Sequence, residues 1–335
     1  MTIEEIEAAC NASQVLDFSR HEIEAPALSL KKMFYPYGFP AEVRTNSNEV
    51  LNLMAELWGS FEKQHDTEPI RSDVHVVEDS AIECPPTPVF RIMLPLVTHV
   101  ADGNNYSIVN LERNRVQISI SHATLKYEPY AKYFLLGAPG CCIATRFATP
   151  VHAACVALDG RGVLLCGDSG AGKSTLSYAC ARSEWTYVCD DGLYLQNCGS
   201  GGRAVTGDCY QVRFRPSVAE LFPEVRGLDI TPRAAGKPSI ELSTGPMSHV
   251  TRAQSTHIDF IVFLNRHAGG APELRPYRTD VARQWIRQGL YGSPESLAIQ
   301  YEAIERLLTA EVFELRYTDL DWAIDRLRFL VREGH

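Results

Sequence analysis

Chemistry in this chain concentrates in residues 151–191, VHAACVALDGRGVLLCGDSGAGKSTLSYACARSEWTYVCDD. Gly167 to Ser174 reads G-x-x-x-x-G-K-S, the spacing of a loop that wraps phosphate in backbone N–H groups. Its glycines let those amides turn inward onto phosphate oxygens, and the N-terminus of the following helix adds its positive end. On this reading Gly167, Asp168, Ser169, Gly170, Ala171, Gly172, Lys173, Ser174 and Thr175 line a nucleotide. Lys173 sits against the β- and γ-phosphates, and the Ser174 hydroxyl holds Mg²⁺. The bland alternative is a glycine-rich turn before an ordinary helix. At average residue usage the four fixed positions match by chance in about one chain per hundred of this length. An apolar strand before the loop (Val163–Cys166) and a helix after it (Ser174–Arg182) lower that further.

Downstream, a short strand at Thr186–Cys189 ends in Asp190-Asp191, 17 residues after Lys173. Two carboxylates at a strand end beside a phosphate loop have two jobs available: Asp190 to hold the metal, Asp191 to accept the proton of an attacking hydroxyl. An Asp-Asp-Gly turn is the competing account. Upstream, Val151–Leu158 and Gly162–Cys166 are apolar runs joined through Asp159-Gly160, a hairpin signal, so the strand feeding the loop pairs antiparallel with its predecessor. Arg213 and Arg215 fall on one side of an alternating strand, either near phosphate oxygens or on a solvated edge.

The GDSGAGKST loop, the Cys189-Asp190-Asp191 strand end and His152 before the loop together resemble the catalytic domain of HPr kinase/phosphorylase. Glu224-Val225-Arg226-Gly227-Leu228 resembles that family's E-x-R-G-L-G signature, with Asp229 in place of the last glycine. The resemblance spans about residues 145–265. It implies an α/β fold: a P-loop kinase core of the HPr kinase/phosphoenolpyruvate carboxykinase type with a mixed sheet. It also implies ATP and Mg²⁺ as cofactors, catalytic roles for His152, Lys173, Asp191 and Arg226, and Glu224 joining Ser174 and Asp190 around the metal. A homo-oligomer is a further implication. From the residues alone, His152 reads equally as a core histidine in an apolar strand, and Glu224 and Arg226 as an exposed helix-end ion pair.

At 335 residues the chain can hold two cores. The formal charge of −9 leaves no electrostatic footprint for nucleic acid or an anionic membrane. Ten cysteines occur without any C-x-x-C pair, and most fall in apolar segments where a free thiol packs as a small hydrophobe. The acidic start, MTIEEIEAAC, lacks the pattern of a secretory signal, and no apolar run approaches 18 residues. A reduced, cytoplasmic protein is expected.

The remaining elements must position the site. A short acidic helix is expected within residues 1–30, and a helix over Glu49–Lys63 capped by Asn46. Strands are expected at Val74–Val77, Val89–Leu94, Tyr106–Asn110 and Val116–Ser121. With a helical linker at Tyr127–Leu136, this makes residues 1–125 a smaller N-terminal α+β domain and 126–335 the nucleotide-binding domain. Phe260–Leu264 (FIVFL) reads as a buried strand beside the one feeding the loop. Helices follow over Asp280–Leu290 and Glu295–Leu308, then a strand at Val312–Tyr317 and a final amphipathic helix from about Asp319.

Phosphoryl transfer from ATP to a hydroxyl, such as a serine of a protein or a small molecule, is the expected activity. A nucleotide-binding regulator without transferase activity and a conventional P-loop NTPase are the alternatives. The short gap from loop to Asp190-Asp191 and the absence of an N-K-x-D motif speak against the NTPase.

Overall fold

The computed structural model describes residues 2–12, 14, 27–78, 84–197, 202–266 and 270–334. They form two compact units, Met1–Arg146 with Pro232–Lys237, and Phe147–Thr231 with Pro238–His335. Sequence alone places a boundary at 125. The structure assigns 126–146 to the first unit because the helix there packs on that unit's strands.

In the first unit, α1 (Ile3–Asn11) opens with a capping box from Thr2 and Glu5. The sheet comprises β1 (Leu30–Phe34), β2 (Ala41–Thr45), β3 (Ile70–Val77), β4 (Val89–Met93), β5 (Leu96–Val100), β6 (Tyr106–Asn110) and β7 (Arg115–Ser121), in the order β1-β2-β3-β7-β6-β5-β4. It is mixed: β3 runs parallel to both β2 and β7, and the other pairs are antiparallel. Helix α2 (Asn48–Trp58) buries Val50, Met54 and Trp58. It ends before Lys63, and Asn46 does not cap it. The Asn46 side-chain amide instead pairs with the backbone of Val76, donating to its carbonyl at 2.9 Å and accepting its N–H at 2.8 Å. Strands β1, β2 and β5 have no counterpart in the sequence reading. A turn at Leu94-Pro95 sends the chain straight back as β5, and its apolar residues follow those of β4 with no polar break. Helix α3 (His122–Leu125) and α4 (Glu128–Cys142) complete this unit.

The second unit is layered α/β/α. Its main sheet contains β8 (Ala148–Val151), β9 (Ala154–Leu158), β10 (Arg161–Cys166), β11 (Thr186–Cys189), β12 (Leu193–Gln196), β13 (Ala204–Gly207) and β17 (Ser255–Asn265), with β18 (Glu273–Pro276) and β19 (Glu311–Arg316) joined through β17. A small separate sheet is built from β14 (Gln211–Phe214), β15 (Ile230–Thr231) and β16 (Ser239–Ser243).

β10 pairs antiparallel with β9 through a turn in which Asp159 and Gly160 take φ of 51° and 79°. Those are the left-handed values that an Asp-Gly hairpin turn supplies. On its other side β10 runs parallel to β17, Val163 to Cys166 facing Phe260 to Phe263, and β17 runs parallel to β19. These central strands are apolar on both faces, as parallel strands covered on both sides must be. Val163, Leu165, Phe260, Val262 and Leu315 share a core with Leu176 of α5 (Lys173–Ala181) and Leu327 of α8 (Leu320–Glu333). Leu164, Cys166, Ile261 and Val312 pack on the other side with Ile286 of α6 (Thr279–Ile286) and Ile304 of α7 (Pro294–Leu307).

The apolar run Val151–Leu158 is not one strand. It breaks at His152 and Ala153, with β8 pairing β12 and β9 pairing β10 and β11. The break turns the His152 side chain out of the core. Among the described residues, no helix is long and apolar enough to cross a membrane.

Candidate functional site

The loop between β10 and α5 lies at the C-terminal ends of the parallel strands, where open α/β sheets leave room for ligands. Gly170 and Gly172 have φ of 95° and 100°, and Gly172 forms the left-handed entry to α5. Within the loop the Ala171 N–H donates to the Asp168 carbonyl at 3.0 Å, and the Leu176 N–H donates to the Gly172 carbonyl at 2.8 Å. Among the described residues, none accepts from the N–H groups of Ser169, Gly170, Gly172, Lys173, Ser174 or Thr175. These six donors, on either side of the bonded Ala171 amide and at a helix start, have the chemistry that suits an anion.

Lys173 is only 7% exposed, and its ammonium donates to the Gly167 carbonyl at 2.7 Å. Burial pulls its pKa below the ordinary lysine value. Asp191 is the largest opposing influence, ahead of Asp168 and Asp190. The twin acids therefore face the lysine electrostatically, but they are not equivalent. Asp190 is buried, and its Oδ2 accepts the Arg213 backbone N–H at 2.7 Å. Burial pushes its carboxyl up to about 7, with the Arg213 amide opposing and the Asp191 charge adding to the rise. Asp191 is half-exposed, its Oδ1 lying 3.3 Å from Nδ1 of His152. The imidazole is exposed at the β8–β9 break, so His152 is not a satisfied core histidine. Surrounding protein lowers its pKa; Asp191 counters this and Lys173 reinforces it.

The set Ser174 and Asp190 has the donor chemistry of a magnesium site. The Ser174 hydroxyl and the second Asp190 oxygen make no hydrogen bond among the described residues. Among those residues no group of three or more His, Cys, Asp and Glu side chains is arranged so that it could by itself hold a metal ion. Mg²⁺ bound with nucleotide needs no such cage, because it takes one or two protein oxygens and fills its octahedron with phosphate oxygens and water.

Glu224 and Arg226 do not join this constellation. Glu224 accepts from the Tyr178 hydroxyl at 2.8 Å and pairs with Arg182 at 3.0 Å, bracing the short turn at Pro223–Val225 against α5. Burial pushes its carboxyl up, but its own backbone amide, Tyr178 and Arg182 outweigh that and hold it low. Tyr178 in turn meets Phe214 and Phe222 edge-on, at centroid distances of 5.4 and 5.0 Å. Arg226 is exposed and donates to the Ala219 carbonyl at 3.0 Å. The E-V-R-G-L segment thus meets the side of α5 through Glu224, and among the described residues no hydrogen bond or ion pair links Glu224 or Arg226 to Lys173, Ser174, Asp190 or Asp191.

Three contacts on the loop come from distant segments. The Trp285 indole N–H donates to Asp168 Oδ1 at 3.1 Å, and Trp285 packs edge-on against Phe263 at 5.4 Å. The Arg215 guanidinium reaches the Ser169 hydroxyl at 3.4 Å. A Cβ on Gly172 would lie 2.7 Å from the buried Tyr317 hydroxyl oxygen. Only Arg215 carried a sequence signal, through its alternation with Arg213.

No protein-family model matches the chain, and no curated protein does. Among solved structures it is similar to the Hpr(Ser) kinase/phosphatase from Coxiella burnetii, at 15% identity and a TM-score of 0.30, covering 56% of this chain and 99% of that one.

Proposed function

We propose that this chain is an ATP-dependent phosphotransferase: a P-loop kinase of the HPr kinase type that moves a phosphoryl group to a hydroxyl of a protein or small molecule. The carrying observation is the set of acceptor-free amides at Ser169, Gly170, Gly172, Lys173, Ser174 and Thr175, closed by a buried lysine and faced by two carboxylates. Loop amides and Lys173 bind and orient the phosphates, and the Asp191 carboxylate, steadied by His152, takes the acceptor proton. Ser174 and Asp190 would hold Mg²⁺, which supplies charge neutralisation on the phosphate oxygens. Because phosphoryl transfer depends on positioning and charge, these groups suffice without a covalent intermediate.

The test is calorimetric titration with Mg·ATP, followed by mass spectrometry of a serine-bearing acceptor panel. Wild type should bind ATP and transfer phosphate. Lys173→Ala should melt within a few degrees of wild type and lose both properties by at least 100-fold, from the missing ammonium–phosphate contacts. A folded Lys173→Ala protein that binds and turns over ATP as wild type does would refute the assignment. Binding without transfer to any acceptor would instead favour a nucleotide-sensing regulator.

A further inference from the structure

The end of strand β14 and the residue after it connect three parts of the site within three consecutive residues. The Arg213 backbone N–H is fixed on Asp190 at 2.7 Å. Phe214 is buried edge-on against Tyr178 of α5, at 5.4 Å between ring centroids. Arg215, the next residue, sends its guanidinium to the Ser169 hydroxyl at 3.4 Å. The arm carrying Arg215 is therefore anchored to a site carboxylate and to the helix that begins in the loop.

The two arginines have different surroundings. Arg213 lies 3.3 Å from Glu241, which offsets its charge. Arg215 is exposed, and among the described residues no carboxylate pairs with it. Its polar contact is Ser169, whose own N–H has no acceptor among those residues. A guanidinium presents five donors in a planar fork, so one contact to a hydroxyl leaves others for an anion. Along the chain Ser169 stands on the β10 side of the loop, four residues before Lys173 and the start of α5.

From this placement we infer that Arg215 is a terminal-phosphate-binding residue: it recognises the γ-phosphate of a nucleoside triphosphate and makes the site discriminate ATP from ADP. The inference rests on the nucleotide reading above and deepens it. The helix-start amides hold phosphates common to both nucleotides, and Lys173 bridges the β- and γ-phosphates. Arg215 adds charge only where a third phosphate is present.

Calorimetry with Mg·ATP and Mg·ADP separates the cases, using wild type, Arg215→Ala, Arg215→Lys and Lys173→Ala, each checked by thermal melting. Arg215→Ala should weaken ATP about 10- to 30-fold, the loss of one charge-assisted contact, and leave ADP within twofold. Arg215→Lys, which keeps the charge without the fork, should recover part of the ATP preference. Equal weakening of both nucleotides would make Arg215 a loop brace and overturn the inference, as would unchanged binding of both. In either case wild type binding ATP, with Lys173→Ala losing it, would leave the kinase proposal standing. A wild type that binds neither nucleotide removes both.

Discussion

Replacing Gly172 with alanine tests whether the loop's backbone is what makes the site. Two penalties arise from the structure. At φ of 100° an L-residue loses roughly 1–2 kcal/mol relative to glycine. The new methyl would also lie 2.7 Å from the Tyr317 hydroxyl oxygen, and Tyr317 is only 4% exposed, so it cannot swing clear without disturbing the core it shares with Leu315. Overpacking of this kind costs about 1–3 kcal/mol. Gly172→Ala should therefore lose about 2–5 kcal/mol in urea denaturation, and ATP affinity should fall because the cradle no longer closes. Tyr317→Phe removes the obstructing oxygen but not the backbone strain. In the Tyr317→Phe background, Gly172→Ala should thus cost only the roughly 1–2 kcal/mol of the φ penalty. A Gly172→Ala protein within 0.5 kcal/mol of wild type, binding ATP undiminished, would refute the reasoning, because both penalties would then be absent.

Two other perturbations have defined signs. Burial pushes His99, which is hydrogen-bonded to Ser107, down to about 4. The unfolded chain takes up this proton near pH 6.5 and the folded one does not, so stability is intact above pH 6.5 and falls as pH drops towards 4, by roughly 3 kcal/mol from this group. Wild type should lose that much more than His99→Gln between pH 7 and pH 4 in urea denaturation, and parallel profiles would contradict the assignment. Glu224→Ala should lower stability by about 1–2 kcal/mol, because the Tyr178 hydroxyl keeps only the weak Met247 sulfur as acceptor, while the Mg²⁺ concentration needed for ATP binding stays the same. A tenfold rise in that requirement would place Glu224 at the metal site.

What the sequence disclosed about the site depends on how local each requirement is. The loop was legible because its geometry demands residue types at fixed positions: glycine where φ is positive, and a lysine able to fold back on its own loop. That β17 lies beside β10 followed from a run apolar at every position, as a strand covered on both faces requires, whereas the parallel direction of the pair came from the structure. His152 was ambiguous because alternation does not show where an apolar run breaks, and the break at His152-Ala153 decides whether the imidazole is buried or beside Asp191. Trp285 could not have been found, since it meets Asp168 across 117 positions of sequence.

Glu224 and Arg226 show the opposite limit. Five residues can match a motif in order while the motif says nothing of the neighbours that meet them. Here Tyr178 and Arg182, one helical turn apart on α5, supply a hydroxyl and a guanidinium that satisfy Glu224 locally. A carboxylate so paired would have to give up both partners to bind a cation at the loop. That exchange is unfavourable while Ser174 and Asp190 already offer oxygens without such partners. The charge on this side of α5 therefore braces the helix that bears Lys173, and on the proposed function the chemistry falls to the loop and the β11 strand end.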